Sequence, residues 1–258
     1  MTEISKILDK FPPITLEEMS SIRLMNRTDT KFVTTTEVLK KLLTLCQEEY
    51  FAQVNDGTRI APYRTVYWDT DGTHDMFHKH QCGHRPRTKV RARTYVSSNV
   101  SFLEIKKKDN HGKTKKKRIE VQSIDNVIKR HEGEEFLNER TDFTFIENNG
   151  RRLITPALGN HFDRITLVNK GHTERLTIDF NLRFDNFENG RERKLERTVI
   201  IELKRDGRQP SPILPLLREL RVKPLGFSKY CIGSALTNPE NLRINKFKEK
   251  LIRLRKFI

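Results

Sequence analysis

Polar and apolar positions alternate with a period of two along several stretches of the chain, and in each stretch the polar set is ionic. Lys89, Arg91 and Arg93 alternate with Val90 and Ala92, and Glu104, Lys106 and Lys108 follow Leu103 and flank Ile105. Arg175, Thr177 and Asp179 alternate with Leu176, Ile178 and Phe180, and Glu202 and Lys204 flank Leu203. Side chains on a strand point to alternate faces, so each stretch predicts a strand with one apolar and one ionic face. Strands are expected near 64–69, 87–96, 101–108, 114–121, 161–169, 174–185 and 195–205, with Asn110-His111-Gly112 as a hairpin turn.

Elsewhere the spacing is helical. Thr15 with Glu18, and Thr34 with Glu37, have capping-box spacing, and the second pair opens a helix through Val38, Leu39, Leu42, Leu43 and Cys46. A polar helical stretch is expected over 125–139, and three helices over 213–220, 228–236 and 241–257. Pro210, Pro212, Pro215, Pro224 and Pro239 punctuate this last third. Seven or so antiparallel strands with helices at both ends predict an α+β fold built on a closed or nearly closed sheet. A sandwich with one basic solvent face is the plainer reading of the same alternation. Ionic faces turned inward would leave the apolar faces outside, where the helices can cover them.

Composition sharpens the expected partner. The 258 residues carry 50 Lys and Arg against 34 Asp and Glu, a formal net charge of +16, which attracts nucleic acid, anionic lipid or polyphosphate. No composition break marks a linker, so one domain over 1–258 is expected, with a core at about 23–236 and a C-terminal amphipathic helix at about 241–257. No apolar run reaches 18 residues, and the start of the chain mixes Glu3, Lys6, Asp9 and Lys10 with apolar residues, so the expectation is a soluble, cytoplasmic protein. Cys46, Cys82 and Cys231 are few and scattered, as in a reducing compartment.

Guanidinium and ammonium groups bind phosphate chains through charge and donor geometry, and a divalent ion commonly bridges phosphate oxygens to one or two carboxylates. Glu202, in Val199-Ile200-Ile201-Glu202-Leu203-Lys204, suits that anchoring role, with an internal salt bridge as its alternative. Glu104 and Asp179 have the same two readings, and for them the salt bridge is favoured.

In chain order the sequence then shows Arg27-Thr28-Asp29-Thr30-Lys31-Phe32, Tyr67-Trp68-Asp69-Thr70, Lys89 to Tyr95, Phe102-Leu103-Glu104-Ile105-Lys106 and Gly112 to Arg118. Arg175-Leu176-Thr177-Ile178-Asp179, Glu202-Leu203-Lys204 and Phe227-Ser228-Lys229-Tyr230-Cys231-Ile232-Gly233 follow. From about Arg23 to Leu236 this series resembles the VTC (vacuolar transporter chaperone) domain, the polyphosphate polymerase branch of the triphosphate tunnel metalloenzymes, a CYTH-like superfamily.

The resemblance implies an antiparallel β-barrel tunnel with flanking helices at both termini. It implies an enzyme that transfers the terminal phosphate of ATP to a growing inorganic polyphosphate chain with Mn2+ or Mg2+. Carried over by position, the phosphate ligands would be Lys31, Arg91, Arg93, Lys106, Arg164, Arg175, Lys204 and Lys229, with Lys116 and Arg118 on a further basic strand and Glu202 holding the metal. Arg91, Arg93, Arg175 and Lys229 would serve catalysis by spreading the developing charge. Tunnel triphosphatases usually begin with a Glu-x-Glu-x-Lys strand, whereas here the strand reads Arg27-x-Asp29-x-Lys31, so that a cation replaces the first carboxylate. That departure favours holding a long anion over hydrolysing a short one. The alternatives are an inorganic or nucleotide triphosphatase of the same fold, or a protein that binds polyphosphate or nucleic acid without turnover.

Three further signals carry less. His78, His80, Cys82 and His84 would share a face on a strand, with His74 nearby, but match no usual zinc spacing. The lysines at 106–108 and 113–117 could contact nucleic acid, yet aromatic residues able to stack on bases are sparse, and no specific nucleic-acid partner is expected. The C-terminal helix either packs on its own domain or serves as a peripheral membrane or protein contact.

Overall fold

The computed structural model describes residues 3–20, 27–147, 150–207 and 209–257, without the side chains of Ser20 and Arg27. Arg23, the expected start of the core, lies outside the described residues.

Among the described residues, twelve strands form one sheet. They are β1 (Pro13–Ile14), β2 (Arg27–Thr35), β3 (Tyr50–Gln53), β4 (Ala61–Thr70), β5 (Arg87–Tyr95), β6 (Val100–Lys108), β7 (Thr114–Val121), β8 (Phe143–Thr144), β9 (Arg152–Asn169), β10 (Glu174–Asn186), β11 (Glu192–Leu195) and β12 (Thr198–Asp206). The main path runs β2-β12-β10-β9-β4-β5-β6-β7, antiparallel at every step, and the short strands attach to β9 and β10 or, for β1, to β3. One sheet, with its ionic positions on a common face, replaces the sandwich reading. Among the described residues the path ends at β2 and β7, which do not pair, so the sheet curls around its inner face without closing there by hydrogen bonds. Register shifts at Tyr67/Trp68 and at Phe180/Arg183 bend β4, β9 and β10.

The nine α-helices of the described residues are α1 (Glu3–Leu8), α2 (Leu16–Ser20), α3 (Thr36–Leu45), α4 (Asp75–Gln81), α5 (Ile124–Arg130), α6 (Glu134–Arg140), α7 (Ile213–Glu219), α8 (Lys229–Thr237) and α9 (Lys248–Leu254). Outward-facing Phe32, Ile178, Ile201 and Leu203 pack under Leu8, Leu39, Leu43 and Leu217 of α1, α3 and α7. Outward-facing Val66, Val90, Leu103 and Ile105 pack under Ile124, Val127 and Leu137 of α5 and α6. A third cluster fills one end of the inner face, where Phe77, Tyr230, Ile232, Phe247 and Leu254 of the α4, α8 and α9 region meet Val33, Phe162, Phe184 and Ile200. The helices thus cover the outside of the sheet and plug one end of its inside.

Local chemistry explains most boundaries. Thr15 and Glu18 form the reciprocal capping box, the Glu18 amide donating to Thr15 Oγ1 at 3.2 Å and the Thr15 amide to Glu18 Oε2 at 2.7 Å. The second cap falls on Thr35, which accepts from the Val38 amide, because Thr34 is still buried in β2. The β6–β7 turn forms as expected, with Gly112 at a φ of +86° and Asp109 accepting from the Lys113 amide. β9 begins at Arg152, well before the expected 161, and runs on through Pro156, at the bulge against β4, and through Gly159. The expected helix over 241–257 shrinks to a 3-10 turn at Asn245–Phe247 and α9. His78 and His80 lie on helix α4, not on a strand, so the shared ligand face that a period of two would give does not form.

Candidate functional site

On the inner face, strand register turns the alternating cations into rungs. Lys89, Lys106 and Lys116 stand opposite one another on β5, β6 and β7, and Arg91, Glu104 and Arg118 form the next rung. Lys31 stands opposite Glu202, and Arg164 opposite Asp179. Like charges directly opposite on neighbouring strands disfavour the sheet, so a row of three lysines has no evident structural use.

All of these rung residues except Glu104, Lys116 and Arg118 line a cavity of about 720 Å³. Of the residues expected to bind phosphate, Lys31, Arg91, Arg93, Lys106, Arg164, Lys204 and Lys229 all line it, as does Glu202. Lys229 arrives at the first turn of α8, where Ser228 caps the helix by accepting from the Cys231 amide. The structure places three of the expected ligands elsewhere. Arg175 donates to the Met19 carbonyl at 3.1 Å, Lys116 pairs with Glu104, and the Arg118 guanidinium lies 4.2 Å from the centre of the Phe102 ring. None of the three lines the cavity.

The VTC domain family model matches residues 26–238. The chain belongs to the VTC domain family. No curated protein matches this VTC domain in sequence. Among solved structures it is similar to a putative adenylyl cyclase from Hippeastrum described as having a dominant triphosphatase activity, at 14% identity and a TM-score of 0.49 over 86% of this chain and 99% of that one. A putative adenylate cyclase from Vibrio parahaemolyticus is similar at 9% identity and a TM-score of 0.46 over 81% and 99%. A protein from Pyrococcus horikoshii is similar at 16% identity and a TM-score of 0.41 over 79% and 96%.

The VTC cavity is lined by eleven lysines and arginines against three carboxylates, Asp29, Asp179 and Glu202. Each carboxylate is already engaged. Asp179 accepts from Arg164 Nε at 2.6 Å and Nη2 at 2.8 Å and from the Lys229 ammonium, while Glu202 lies 3.3 Å from Lys31 and 3.7 Å from Lys204. Asp29 also has a partner. Burial would favour the neutral acid at Asp179, but Arg164 and Lys229 hold it well below the usual carboxylate range. At Glu202 burial is outweighed by Lys31, Lys204 and Arg164, which bring the carboxyl to about 2.

The cations respond in the opposite sense. Burial, and after it Arg91, lowers the Lys106 ammonium to about 7; burial lowers Lys229 to about 7 in spite of Asp179, and Lys89 to about 8. Burial and the neighbouring Arg91 and Arg164 bring even Arg93 down to about 10. Among the described residues neither Lys89 nor Lys106 makes an ion pair. An anion in the cavity would relieve these strained charges together.

No group of three or more His, Cys, Asp or Glu among the described residues could enclose a metal ion. Glu202 keeps contacts of 3.3 and 3.7 Å to ammonium groups, long enough to leave lone pairs for another ligand. That donor set suits an ion such as Mg2+ or Mn2+ that takes one protein carboxylate and completes its shell with water and phosphate oxygens.

Several lining residues fall outside the set drawn from the sequence: Arg87, Lys89, Lys108, Tyr67, His80 and Lys250. Parity alone points to the first three, which share a face with Arg91 and Lys106. His80 and Lys250 come from α4 and the plugging α9, and strand alternation cannot reveal them. Burial first, then Lys89 and Arg87, lowers His80 to about 3, so it faces the cavity as a neutral imidazole.

Proposed function

We propose that this VTC domain is an ATP-dependent polyphosphate polymerase. The reading rests on one observation: a cavity walled by eleven cations in which each of the three lining carboxylates is already partnered. Such a site suits a polyanion, and carboxylates held ionised by neighbouring cations, as Asp179 and Glu202 are, make poor bases for activating water. Hydrolysis needs a group that positions and deprotonates water, whereas a terminal phosphate of a polyphosphate chain is already an anionic nucleophile.

In this reading the triphosphate of ATP lies among Lys31, Arg91, Arg93, Lys106, Arg164, Lys204 and Lys229. An oxygen of the acceptor's terminal phosphate attacks the γ-phosphorus in line, the bond from that phosphorus to the β,γ-bridging oxygen breaks, and ADP leaves with the electron pair. Arg91, Arg93 and Arg164 spread the charge on the equatorial oxygens, and Lys229, anchored by Asp179, neutralises an end phosphate. A divalent ion held by Glu202 supplies further neutralisation of phosphate charge when bound. The test is incubation of the purified protein with ATP and manganese followed by gel analysis. Long polyphosphate is expected; free phosphate as the sole product would assign a triphosphatase instead, and no turnover would leave a binding protein.

A further inference from the structure

The lysines at 107 and 115 have no place in the cavity, yet they stand directly opposite each other on β6 and β7 with side chains exposed on the other face of the sheet. With Lys79, Arg87, Lys108 and Arg152 they line a separate groove of about 420 Å³ between α4, the ends of β5 to β7 and the segment around Phe143. Its acidic lining residues are Asp75, Asp109 and Asp142. Asp75 is taken by Arg152, and Asp109 accepts from the Lys113 amide at 2.9 Å. Among the described residues, Lys79, Arg87, Lys107, Lys108 and Lys115 make no ion pair.

Charge on an edge strand such as β7 ordinarily guards against sheet-to-sheet pairing. That role does not account for Lys107, which sits on the interior strand β6, or for Lys79 on α4. Two residues tie the groove to the cavity: Arg87 and Lys108 line both, and they face each other across β5 and β6. The cationic track therefore leaves the inner face at this pair and continues over the end of the hairpin onto the outer face.

We propose that this groove is a second phosphate-chain site, which holds the segment of polyphosphate that extends beyond the cavity. The proposal rests on the cavity reading given above, since the chain must pass Arg87 and Lys108 from inside. A linear phosphate chain fits better than nucleic acid: the described lining offers cations and a single aromatic, Phe143, buried and not open to stacking.

The test compares tripolyphosphate, short enough to remain in the cavity, with a long polyphosphate, by titration calorimetry. The variant Lys79→Gln/Lys107→Gln/Lys115→Gln removes exposed charges that do not line the cavity. A control, Lys10→Gln/Lys41→Gln/Lys129→Gln, removes the same charge from other exposed positions. The groove variant is expected to lose roughly tenfold in affinity for the long chain at low salt, as the loss of three phosphate contacts entails, while its affinity for tripolyphosphate holds. Equal long-chain affinity in groove and control variants would overturn the proposal, as would duplex DNA of equal charge displacing the long chain as readily as polyphosphate does. Failure of the wild-type protein to bind tripolyphosphate would instead remove the cavity reading, so the two failures are distinct.

Discussion

The hydroxyl of Tyr230 on α8 donates to the carboxylate of Asp69 on β4, which also accepts from the Met76 and Phe77 amides at 2.8 Å each. Asp69 is buried and ties the start of α4 to the helix that carries Lys229. Replacing it with Ala is expected to cost about 3 kcal/mol or more, because three amides, of Thr70, Met76 and Phe77, and the Tyr230 hydroxyl lose their acceptor. Tyr230→Phe should cost less, and in denaturant titrations the two effects should be non-additive, as for groups sharing one network.

The unliganded protein should become more stable as pH rises from about 7 toward the ordinary lysine range. Lys106 and Lys229 have folded-state values near 7, below the unfolded value of about 10.4. Between those values the unfolded chain binds more protons than the folded one, so raising pH favours folding. Triphosphate binding should follow the reverse slope: bound phosphate restores the protons, so affinity falls from about pH 7 to 9 by roughly tenfold per pH unit per fully coupled lysine. Calorimetry in buffers of different ionisation enthalpy should register proton uptake near pH 8, and no uptake would contradict the charge states described.

Glu202→Gln separates metal anchoring from a purely internal ion pair. The substitution keeps shape and removes one negative charge from the cavity. Manganese-dependent synthesis is expected to fall about 100-fold or more. Tripolyphosphate binding without metal should stay level or tighten. Equal losses with and without manganese would make Glu202 a structural partner of Lys31 and Lys204.

Glu104 and Lys116 should respond very differently. Glu104 is buried between the Arg91 guanidinium, 2.5 Å away, and the Lys116 ammonium; burial opposes its charge, but Arg91, Arg93 and Lys116 hold it at about 2. Glu104→Ala strands a guanidinium and should cost about 3–5 kcal/mol. The Lys116 side chain is 38% exposed, and Lys116→Met should cost under about 1 kcal/mol and leave synthesis near the wild-type rate. Unfolding midpoints and product gels measure both.

The alternation of Lys89 to Arg93 and of Glu104 to Lys108 was legible because a strand inside a folded sheet shows its parity directly in sequence. Parity identified the inner face, and motif order identified the family, yet neither could tell which inner-face cations reach the cavity. Arg175 has the right parity but turns to the Met19 carbonyl, a contact spanning 156 residues of sequence. Arg118 turns to Phe102, and Lys116 to Glu104. Such choices depend on what each side chain meets at the ends of the sheet. The shortened C-terminal helix has the same origin: Phe247 and Leu254 are fixed by burial against the plug, while the amphipathic pattern extends further than the contact does.

Strand β2 carries Lys31 and Asp29 near the start of the chain, and its partner in the main sheet, β12, lies some 170 residues later. Until β12 has emerged during synthesis, the first wall of the cavity has nothing to pair with, and until α8 follows, Lys229 is absent. Assembly of the cavity therefore rests on non-local contacts, whose loop-closure cost must be met before any of its cations are brought together, and this makes it a slow-forming part of the fold.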